Sequence, residues 1–457
     1  NYGPLKPLVR GNSYTWEVQN LPAIKEEPWM PDVTGLSPYL AVSYYQPTGD
    51  RSKLAFSSWQ DVSCWADEVM DTRAEDAGLI ERKAKELVAD SKTDFDRVRA
   101  IAHWVQKNIR YVSIQLGVIS GYKPNPADVV LKKGYGDCKD KSALVESMLQ
   151  AVGLRSYSVL VFSGDPTRVR PEFPSPLQFN HAVVAVAVGA DSPSAMTHPK
   201  LGRLLFFDPT DSVTPLGDFP FYLQGSYGLI VNGSAGELIK LPTHAESDNN
   251  LKREIDVQVK ETGEVQAKVK EMFTGQLASV ARRGLAQSSA ASYERELVAR
   301  VARDIPGAVI GDLKINTDAE PFDPLIVEYT INASSYGSRL GKLLVIKPLL
   351  LRAQNYPVFT TQERSYPILF DIKSVKEDLT RITMPEGFRL DELPADTRVK
   401  TDFGEFDLTF QVSGQSLVVR RRLAIKQQLM PADQYASVKK FFETAQAASQ
   451  SSIVLVD

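Results

Sequence analysis

The residues best suited to covalent chemistry are Cys138, His181 and Asp208. Cys138 follows the glycine-containing loop Gly134–Asp137 and precedes an apolar helical stripe, so we expect it at a helix start. The free N–H groups and partial positive charge of a helix N-terminus favour the thiolate, which is the nucleophilic form of cysteine. The sequence therefore predicts a reactive thiol at this position, and Lys139 adds positive charge nearby.

A base and an orienting carboxylate follow Cys138 along the chain. His181 begins an apolar strand and Asp208 ends another, immediately before Pro209. A nucleophile on a helix start, a base on one strand and a carboxylate on the next match the logic of a catalytic triad. The alternatives are structural: a buried cysteine, a hydrogen-bonded strand histidine and a turn-forming aspartate.

Composition narrows the class of protein. The 457 residues correspond to about three domains at roughly 150 residues each, and 43% hydrophobic with 24% charged residues is ordinary for a soluble globular chain. Lysine plus arginine is 53, aspartate plus glutamate is 56 and the net charge is -3, so nothing indicates nucleic acid or an anionic membrane surface. No apolar run is long enough to span a bilayer.

The two cysteines, Cys64 and Cys138, cannot build a disulfide framework or, alone, a zinc site. Cys64 lies in no motif, and we expect it to be a small buried apolar side chain. The chain begins at Asn1 with no visible signal peptide, so we expect a processed or trimmed product.

Helices and strands that would position the three residues can be predicted from periodicity. Residues 53–110 are mostly helical in pattern, and Thr93 with the acidic residues after it is typical of a helix start. A helix after Cys138 is followed by three apolar strands. These strands are Tyr157–Phe162, His181–Val188 and Leu204–Phe207.

The rest of the chain is β-rich in pattern. Residues 245–457 contain hairpin signals at Ile255–Val269 and Phe406–Ile425, a helix at about Ala278–Arg303 and a second helix after Pro431. The run Arg420–Arg422 alternates within a strand, which favours a solvated or edge-strand position over ligand binding. Residues 1–52 are rich in proline and are predicted to be the end of a domain or an extended arm.

Three motifs resemble those of the transglutaminase-like superfamily, a circularly rearranged relative of papain-like cysteine proteases. They are Tyr135-Gly136-Asp137-Cys138-Lys139-Asp140-Lys141, Asn180-His181-Ala182-Val183 and Phe207-Asp208-Pro209-Thr210. The resemblance covers about residues 55–230. Within the superfamily, the sequence is similar to a bacterial branch in which this domain lies between two β-rich domains of unknown function. Trp16–Pro31 resembles the end of that branch's N-terminal domain, and residues 245–457 resemble its C-terminal domain.

The resemblance implies an α+β fold. A papain-like transglutaminase core, with helices packed on an antiparallel sheet, would be followed by a β-sandwich-like domain. We expect residues 1–52 to be the C-terminal remnant of an N-terminal β-rich domain plus a linker. Residues 53–244 would be the catalytic domain, and residues 245–457 a β-rich domain with one or two helices.

The resemblance also implies cysteine-dependent acyl transfer on peptide or carboxamide bonds through a thioester, with Cys138, His181 and Asp208 as catalytic residues. One oxyanion donor would be the backbone N–H of Cys138. The family's other donor comes from the segment before the cysteine, where Gln115 is the best polar candidate; its alternative is an exposed loop or strand residue. Transglutaminases proper use a tryptophan there, and its absence between Tyr111 and Cys138 favours hydrolysis over amine cross-linking.

The alternative function is an envelope-binding or scaffold module with a vestigial site, and solvent access to the thiol discriminates the two. For the enzyme we expect a protein or peptide substrate, no nucleic acid, no transmembrane segment and no cofactor or metal. The resemblance implies an exported, periplasmic bacterial protein. It leaves the oligomeric state and the acyl acceptor open.

Overall fold

A computed structural model describes residues 5–42, 56–72, 74–113, 121–190, 192, 194–351 and 359–457. The described residues are 28% helical and 30% strand, which confirms the predicted mixture of helix and sheet. Within the described residues, none of the helices combines the length and apolar character needed to cross a bilayer.

The N-terminal arm, residues 5–42, has little regular structure. It contains β1 (Leu8–Arg10), β2 (Ser13–Thr15) and the single-turn helix α1 (Val33–Leu36). The arm contacts both later parts of the chain. The Asp32 N–H donates to the carboxylate of Asp165 at 2.6 Å, and the Arg364 side chain donates to the Pro28 carbonyl at 2.7 Å.

The central part, residues 56–240, carries five helices within its described ranges. They are α2 (Trp59–Met70), α3 (Ala77–Leu87), α4 (Asp94–Asn108), α5 (Ala127–Lys133) and α6 (Cys138–Ala151). The predicted helix start at Thr93 is confirmed, because its side chain caps α4 by accepting the Asp96 N–H. This cap satisfies one of the N–H groups that a helix start leaves without an intrahelical partner.

A six-stranded antiparallel sheet lies against these helices, in the order β10-β9-β5-β6-β8-β7. The strands are β5 (Ser156–Val161), β6 (His181–Ala187), β7 (Met196–His198), β8 (Gly202–Phe207), β9 (Tyr227–Ile230) and β10 (Glu237–Lys240). A further pair, β3 (Arg110–Tyr111) and β4 (Tyr135–Gly136), runs parallel. Apolar residues of α4 and α6, such as Ile101 and Leu144, pack on one face of the sheet against strand residues such as Val184 and Phe207. The predicted arrangement of helices on an antiparallel sheet is therefore confirmed.

The C-terminal region is built on an eight-stranded sheet ordered β13-β14-β12-β11-β18-β22-β21-β20. Its strands are β11 (Asn250–Val259), β12 (Val265–Phe273), β13 (Val309–Ile315), β14 (Leu325–Ala333), β18 (Ser374–Thr383), β20 (Thr397–Lys400), β21 (Gly404–Ser413) and β22 (Ser416–Ile425). Neighbouring strands are antiparallel except β11 and β18, which are parallel. Both predicted hairpins are confirmed, as β11–β12 and β21–β22.

Smaller elements cover one face of this sheet. They are β15 (Ser338–Leu340), β16 (Leu343–Ile346), β17 (Ile368–Leu369), β19 (Arg389–Glu392), β23 (Leu429–Met430), β24 (Ile453–Val456) and the helix α9 (Tyr435–Ser449). Alternate residues of the large sheet, among them Ile255, Val269 and Phe406, are buried in one core with Phe442 of α9. Alternation of buried and exposed positions is what a sheet with one apolar face requires.

Two expectations about this region are wrong. The single helix predicted at Ala278–Arg303 is two helices, α7 (Gly275–Gln287) and α8 (Ala290–Asp304), and Ser289 caps the second. A serine side chain that accepts a backbone N–H starts a helix more readily than it continues one.

The second expectation concerns Arg420–Arg422: Arg420 is exposed as expected, but the strand is not at an edge and Arg421 is not solvated. Strand β22 lies between β18 and β21, and the Arg421 side chain is buried and pairs with the Asp378 carboxylate. Arg422 pairs with Glu405 at 3.1 Å on the other face. A buried arginine is tolerated because a buried carboxylate on the neighbouring strand compensates its charge.

Candidate active site

Cys138 is the first residue of α6, and a reciprocal cap fixes that position. The Asp137 carboxylate accepts the Asp140 N–H at 3.2 Å, and the Asp140 carboxylate accepts the Asp137 N–H at 3.3 Å. A Cβ at Gly136 would lie 2.6 Å from the Cβ of Asp140, so the chain can approach this cap only at a glycine. The sequence thus places the thiol at a helix N-terminus, as predicted.

The two lysines near the thiol have other partners. The Lys139 ammonium pairs with the Asp137 carboxylate. Lys141 is buried and donates to the Ile109 carbonyl at 2.6 Å, which ties the end of α4 to the first turn of α6. Burial lowers the pKa of Lys141 to about 8, an effect partly opposed by the charge of Asp208. The lysines therefore position the loop rather than face the thiol as free cations.

The base and the carboxylate meet at one end of the central sheet. Strands β6 and β8 are antiparallel with Val184 opposite Phe207, so the start of β6 lies beside the end of β8. The Nε2 atom of His181 is 3.0 Å from Oδ2 of Asp208. Oδ1 of Asp208 accepts the N–H and the O–H of Thr210, at 2.8 and 2.7 Å. The carboxylate is therefore held on both oxygens.

The thiol completes this chain of contacts. Cys138 acts on the His181 ring through its charge and hydrogen-bonding capacity, and since Nε2 of the ring contacts Asp208, Nδ1 is the nitrogen left for the thiol. The Oγ of Ser142, one turn after Cys138, donates to the Ala182 carbonyl at 3.3 Å and ties α6 to β6. The structure thus brings all three predicted residues together.

The electrostatics of the site favour charged forms. Burial lowers the pKa of His181, but the charge and hydrogen bond of Asp208, with those of Cys138, outweigh burial and raise this pKa to about 10. Burial raises the pKa of Asp208, yet the charge and hydrogen bond of His181, helped by Thr210, hold it below its usual value. At neutral pH the arrangement therefore supports an imidazolium beside the Asp208 carboxylate.

The thiol is reachable. The Asp208 side chain is 1% exposed and the His181 side chain 10%, whereas Cys138 keeps intermediate exposure. The loop 164–176 and the C-terminal region therefore do not seal Cys138. The other thiol, Cys64, is exposed, so the expectation that it fills a buried space is wrong: it occupies the outer face of α2, while Val62 and Ala66 face inward.

Comparison with known families finds a family match for the central part of the chain. Residues 81–193, which include Cys138 and His181, match the family model of the transglutaminase-like superfamily. The chain contains a transglutaminase-like domain. Residues 342–455 match a domain of unknown function with a solved structure, DUF3858. No curated protein matches the chain.

One solved structure shares the overall fold of this chain. A crystal structure of a "putative protease" from Parabacteroides distasonis is similar over 100% of this chain and 68% of its own, with a TM-score of 0.55 and 15% identity. A "putative cysteine protease" from Cytophaga hutchinsonii aligns over 31% of this chain and 40% of its own, with a TM-score of 0.22 and 17% identity. At such identities the likeness of the first structure concerns the fold.

Two further residues lie at the site, Tyr111, which the sequence did not indicate, and Thr210, which stands in a motif but had no role assigned to it. Tyr111 on β3 pairs with Gly136, two residues before Cys138, and is 50% exposed. Burial and then the charge of Cys138 raise the pKa of Tyr111. No local pattern marks this tyrosine, whereas Thr210 had a signal in the Asp-x-Thr spacing typical of a turn.

The remaining predicted residue cannot be placed. Gln115 lies outside the described residues, so its role as an oxyanion donor stays a prediction. Among the residues that the structure describes, no group of three or more histidine, cysteine, aspartate or glutamate side chains could hold a metal ion.

Proposed function

We propose that this protein is a cysteine-dependent enzyme that transfers acyl groups from peptide or carboxamide bonds. The observation that carries the proposal is the contact chain from the Cys138 thiol through His181 to Asp208, with the imidazole pKa raised to about 10. A buried carboxylate that stabilises an imidazolium beside a thiol is how proteins activate a cysteine nucleophile. The transglutaminase-like match and the "putative protease" with a similar fold support the same reaction class.

The proposed reaction has two halves. The Cys138 sulfur attacks the carbonyl carbon, the carbon–nitrogen bond breaks, and His181 gives its proton to the leaving amine. The product is a thioester on Cys138. Water then attacks the thioester and gives a proton to His181, the carbon–sulfur bond breaks, and the carboxylic acid leaves, which restores the thiolate and the imidazolium. Asp208 holds the ring orientation throughout and stabilises its cationic form.

The oxyanion that forms in each half needs hydrogen-bond donors. Cys138 is the first residue of its helix, and the N–H of such a residue has no intrahelical partner, which makes it the first proposed donor. The hydroxyl of Tyr111 is a second, because this residue lies beside the cap of α6 and responds to the charge of Cys138. Gln115 remains the alternative.

Water is the favoured acyl acceptor. The sequence has no tryptophan between Tyr111 and Cys138, where transglutaminases proper carry an oxyanion donor. We therefore propose a peptidase or amidase acting on a protein or peptide. We also propose that it works outside the cytoplasm, on the resemblance to an exported bacterial branch; cell fractionation with an antibody to the native protein tests that location.

A thiol-directed, activity-based probe with a peptide recognition group tests the nucleophile. We expect the full chain and a Cys64→Ala variant to be labelled equally, and Cys138→Ala and His181→Ala to lose labelling. Equal labelling of Cys138→Ala and the parent would overturn the proposal. Because Cys64 is the more exposed thiol, its variant is the matched control for simple accessibility.

The acyl acceptor is tested separately. The protein is incubated with a peptide mixture, with and without a small primary amine, and products are identified by mass spectrometry. New carboxyl termini in both reactions are expected. Amide products that form only with the amine, without new carboxyl termini, would make amine transfer the activity instead.

A further inference from the structure

Helix α7 of the C-terminal region packs on the loop that follows Asp208. The Oγ of Ser279 donates to the Val213 carbonyl at 3.3 Å. The side-chain amide of Gln276 donates to Asp218 at 2.6 Å, and its carbonyl oxygen accepts the Phe221 N–H at 2.7 Å. One face of α7 therefore makes polar contacts along a loop of the transglutaminase-like part.

The central contact in this interface is an ion pair. Nη2 of Arg283 is 2.8 Å from Oδ2 of Asp211, and the guanidinium lies over the Tyr222 ring at 5.2 Å from its centroid. The same carboxylate oxygen accepts the hydroxyls of Thr214 at 2.7 Å and Tyr222 at 3.3 Å. Asp211 itself is only 5% exposed. A buried carboxylate needs such compensation, because burial without it costs several kcal/mol.

Asp211 is directly connected to Asp208. Its N–H donates to the Asp208 carbonyl at 3.4 Å, and its own carbonyl accepts the Gln106 side-chain amide at 2.5 Å. The charge of Asp208 also acts on Tyr222. Burial is the main cause that raises the pKa of this tyrosine, and the charge of Asp208 raises it further. The turn that carries the site carboxylate is thus clamped between α4, Tyr222 and Arg283.

We propose that Arg283 is a positioning residue of the candidate active site, so that the C-terminal region completes that site. The proposal rests on the proposed function. Without the guanidinium, Asp211 has only neutral donors for a buried charge, namely the Val213 N–H and the hydroxyls of Thr214 and Tyr222, and the turn relaxes to let water reach the carboxylate. Asp208 moves with the turn, which weakens its contact with His181 and the support that His181 gives to the Cys138 thiolate.

Alkylation of the full chain by iodoacetamide tests this without a known substrate. The rate at Cys138 is followed by peptide mass spectrometry from pH 5 to 10, and the exposed Cys64 in the same molecule serves as the reference thiol. In Arg283→Ala we expect alkylation of Cys138 at pH 6 to be about tenfold slower, since small displacements in a site cost at least that much. Arg283→Lys, which keeps a cation and one donor, should recover most of the rate.

Arg282 provides the matched control. It is the preceding residue of α7, but its guanidinium donates to three other carbonyls. These are the carbonyls of Pro321 at 2.9 Å, Glu320 at 3.1 Å and Asp323 at 2.5 Å. These contacts lie within the C-terminal region. Arg282→Ala should therefore lower the melting temperature without changing the pH dependence at Cys138.

The direction in which the pKa of His181 changes in Arg283→Ala separates a positioning role from a direct charge effect. Loss of a nearby cation would by itself raise the pKa of His181, so the imidazolium and fast alkylation at pH 6 would be kept. Loss of the Asp208 contact lowers that pKa, so the thiolate loses its cationic partner and fast alkylation begins only at higher pH. The charged and titratable groups about the pair, namely Cys138, Lys141, Tyr111 and Tyr222, are unchanged in all variants.

The outcomes distinguish this inference from the proposed function. If Cys138 of the parent protein reacts no faster than Cys64 at pH 6, the proposed function fails. If the parent reacts fast and Arg283→Ala matches it across the pH range, the positioning role is overturned while the function stands. Equal slowing of Arg282→Ala and Arg283→Ala also overturns it, because general loosening of α7 then accounts for both.

Discussion

The Oγ of Ser142 donates a hydrogen bond to the carbonyl of Ala182 across 3.3 Å. Ser142 lies one turn after Cys138 on α6, and Ala182 follows His181 on β6. This bond therefore joins the helix that carries the thiol to the strand that carries the imidazole, one residue or one turn from each reactive group. Both residues are buried, so water does not compete for the bond.

Replacement of Ser142 by alanine should affect both stability and reactivity. Loss of one buried hydrogen bond lowers the free energy of unfolding by about 1 kcal/mol. It also frees α6 to shift against β6, so alkylation of Cys138 at pH 6 should slow. Ser63→Ala is the control. Ser63 lies on another helix, α2, is equally buried, and its hydroxyl accepts the Asn232 N–H at 3.0 Å. The prediction fails if both variants lose stability alike and neither changes the alkylation rate.

Replacement of Asp208 by asparagine should remove the support of the imidazolium. The charge and hydrogen bond of Asp208 are the main effects that raise the pKa of His181, so that pKa falls when they are lost. We expect turnover of any peptide substrate to drop by about 10³- to 10⁴-fold, as for other triads that lose their carboxylate. Fast alkylation of Cys138 at pH 6 should disappear.

Asp128→Asn is the control for the loss of a buried carboxylate. Asp128 is buried on α5 and pairs with Lys132 at 3.0 Å. This variant should be less stable yet keep the alkylation profile of the parent. An Asp208→Asn protein that retains rapid alkylation at pH 6 would contradict the assigned role of Asp208.

Local signals in the sequence were sufficient to predict most of the site. The pattern around Thr93 and the loop before Cys138 each specify a helix start within a few residues, because caps act on neighbouring N–H groups. An apolar strand that begins at His181 and another that ends just before Asp208 follow from periodicity alone. These features depend on contacts between residues close in sequence.

Features that depend on distant partners could not be predicted. Burial of Arg421 depends on Asp378 of a strand far away in sequence, and without that pairing a charged strand residue is expected at the surface. The parallel pairing of β11 with β18 likewise joins segments separated by several other elements. The contact of Arg283 with Asp211 is a third case, since neither residue lies in a motif.

The pH dependence of stability should report the raised pKa of His181. A group whose pKa is higher in the folded state contributes fully below its unfolded pKa, about 6.5 for histidine, and loses its contribution as the pH rises through about 10. Asp208, whose pKa is lowered, contributes above about pH 4 and loses its effect as the pH falls. We therefore expect the difference in unfolding free energy between the parent and His181→Gln to be largest from about pH 4 to 6.5, at about 3 kcal/mol.

Urea unfolding of both proteins at several pH values measures this difference. Lys141 acts with the opposite sign, because its lowered pKa of about 8 adds stability as the pH rises. It is present in both proteins, so the comparison removes most of its effect. A difference that grows between pH 7 and pH 10 would show that His181 is not held as an imidazolium.

Replacement of Tyr111 by phenylalanine tests the proposed oxyanion donor. The change removes the hydroxyl and keeps the ring that lies beside the cap of α6. Loss of one oxyanion donor lowers kcat by about 10²-fold or more, with little change in KM, since the bond forms only as charge develops on the carbonyl oxygen. Tyr135→Phe is the matched control, because Tyr135 lies on the paired strand β4 and is also exposed. Alkylation of Cys138 by iodoacetamide develops no oxyanion, so it should be unchanged in both variants. If Tyr111→Phe instead slows alkylation and turnover equally, Tyr111 acts on the thiol and Gln115 becomes the remaining side-chain donor.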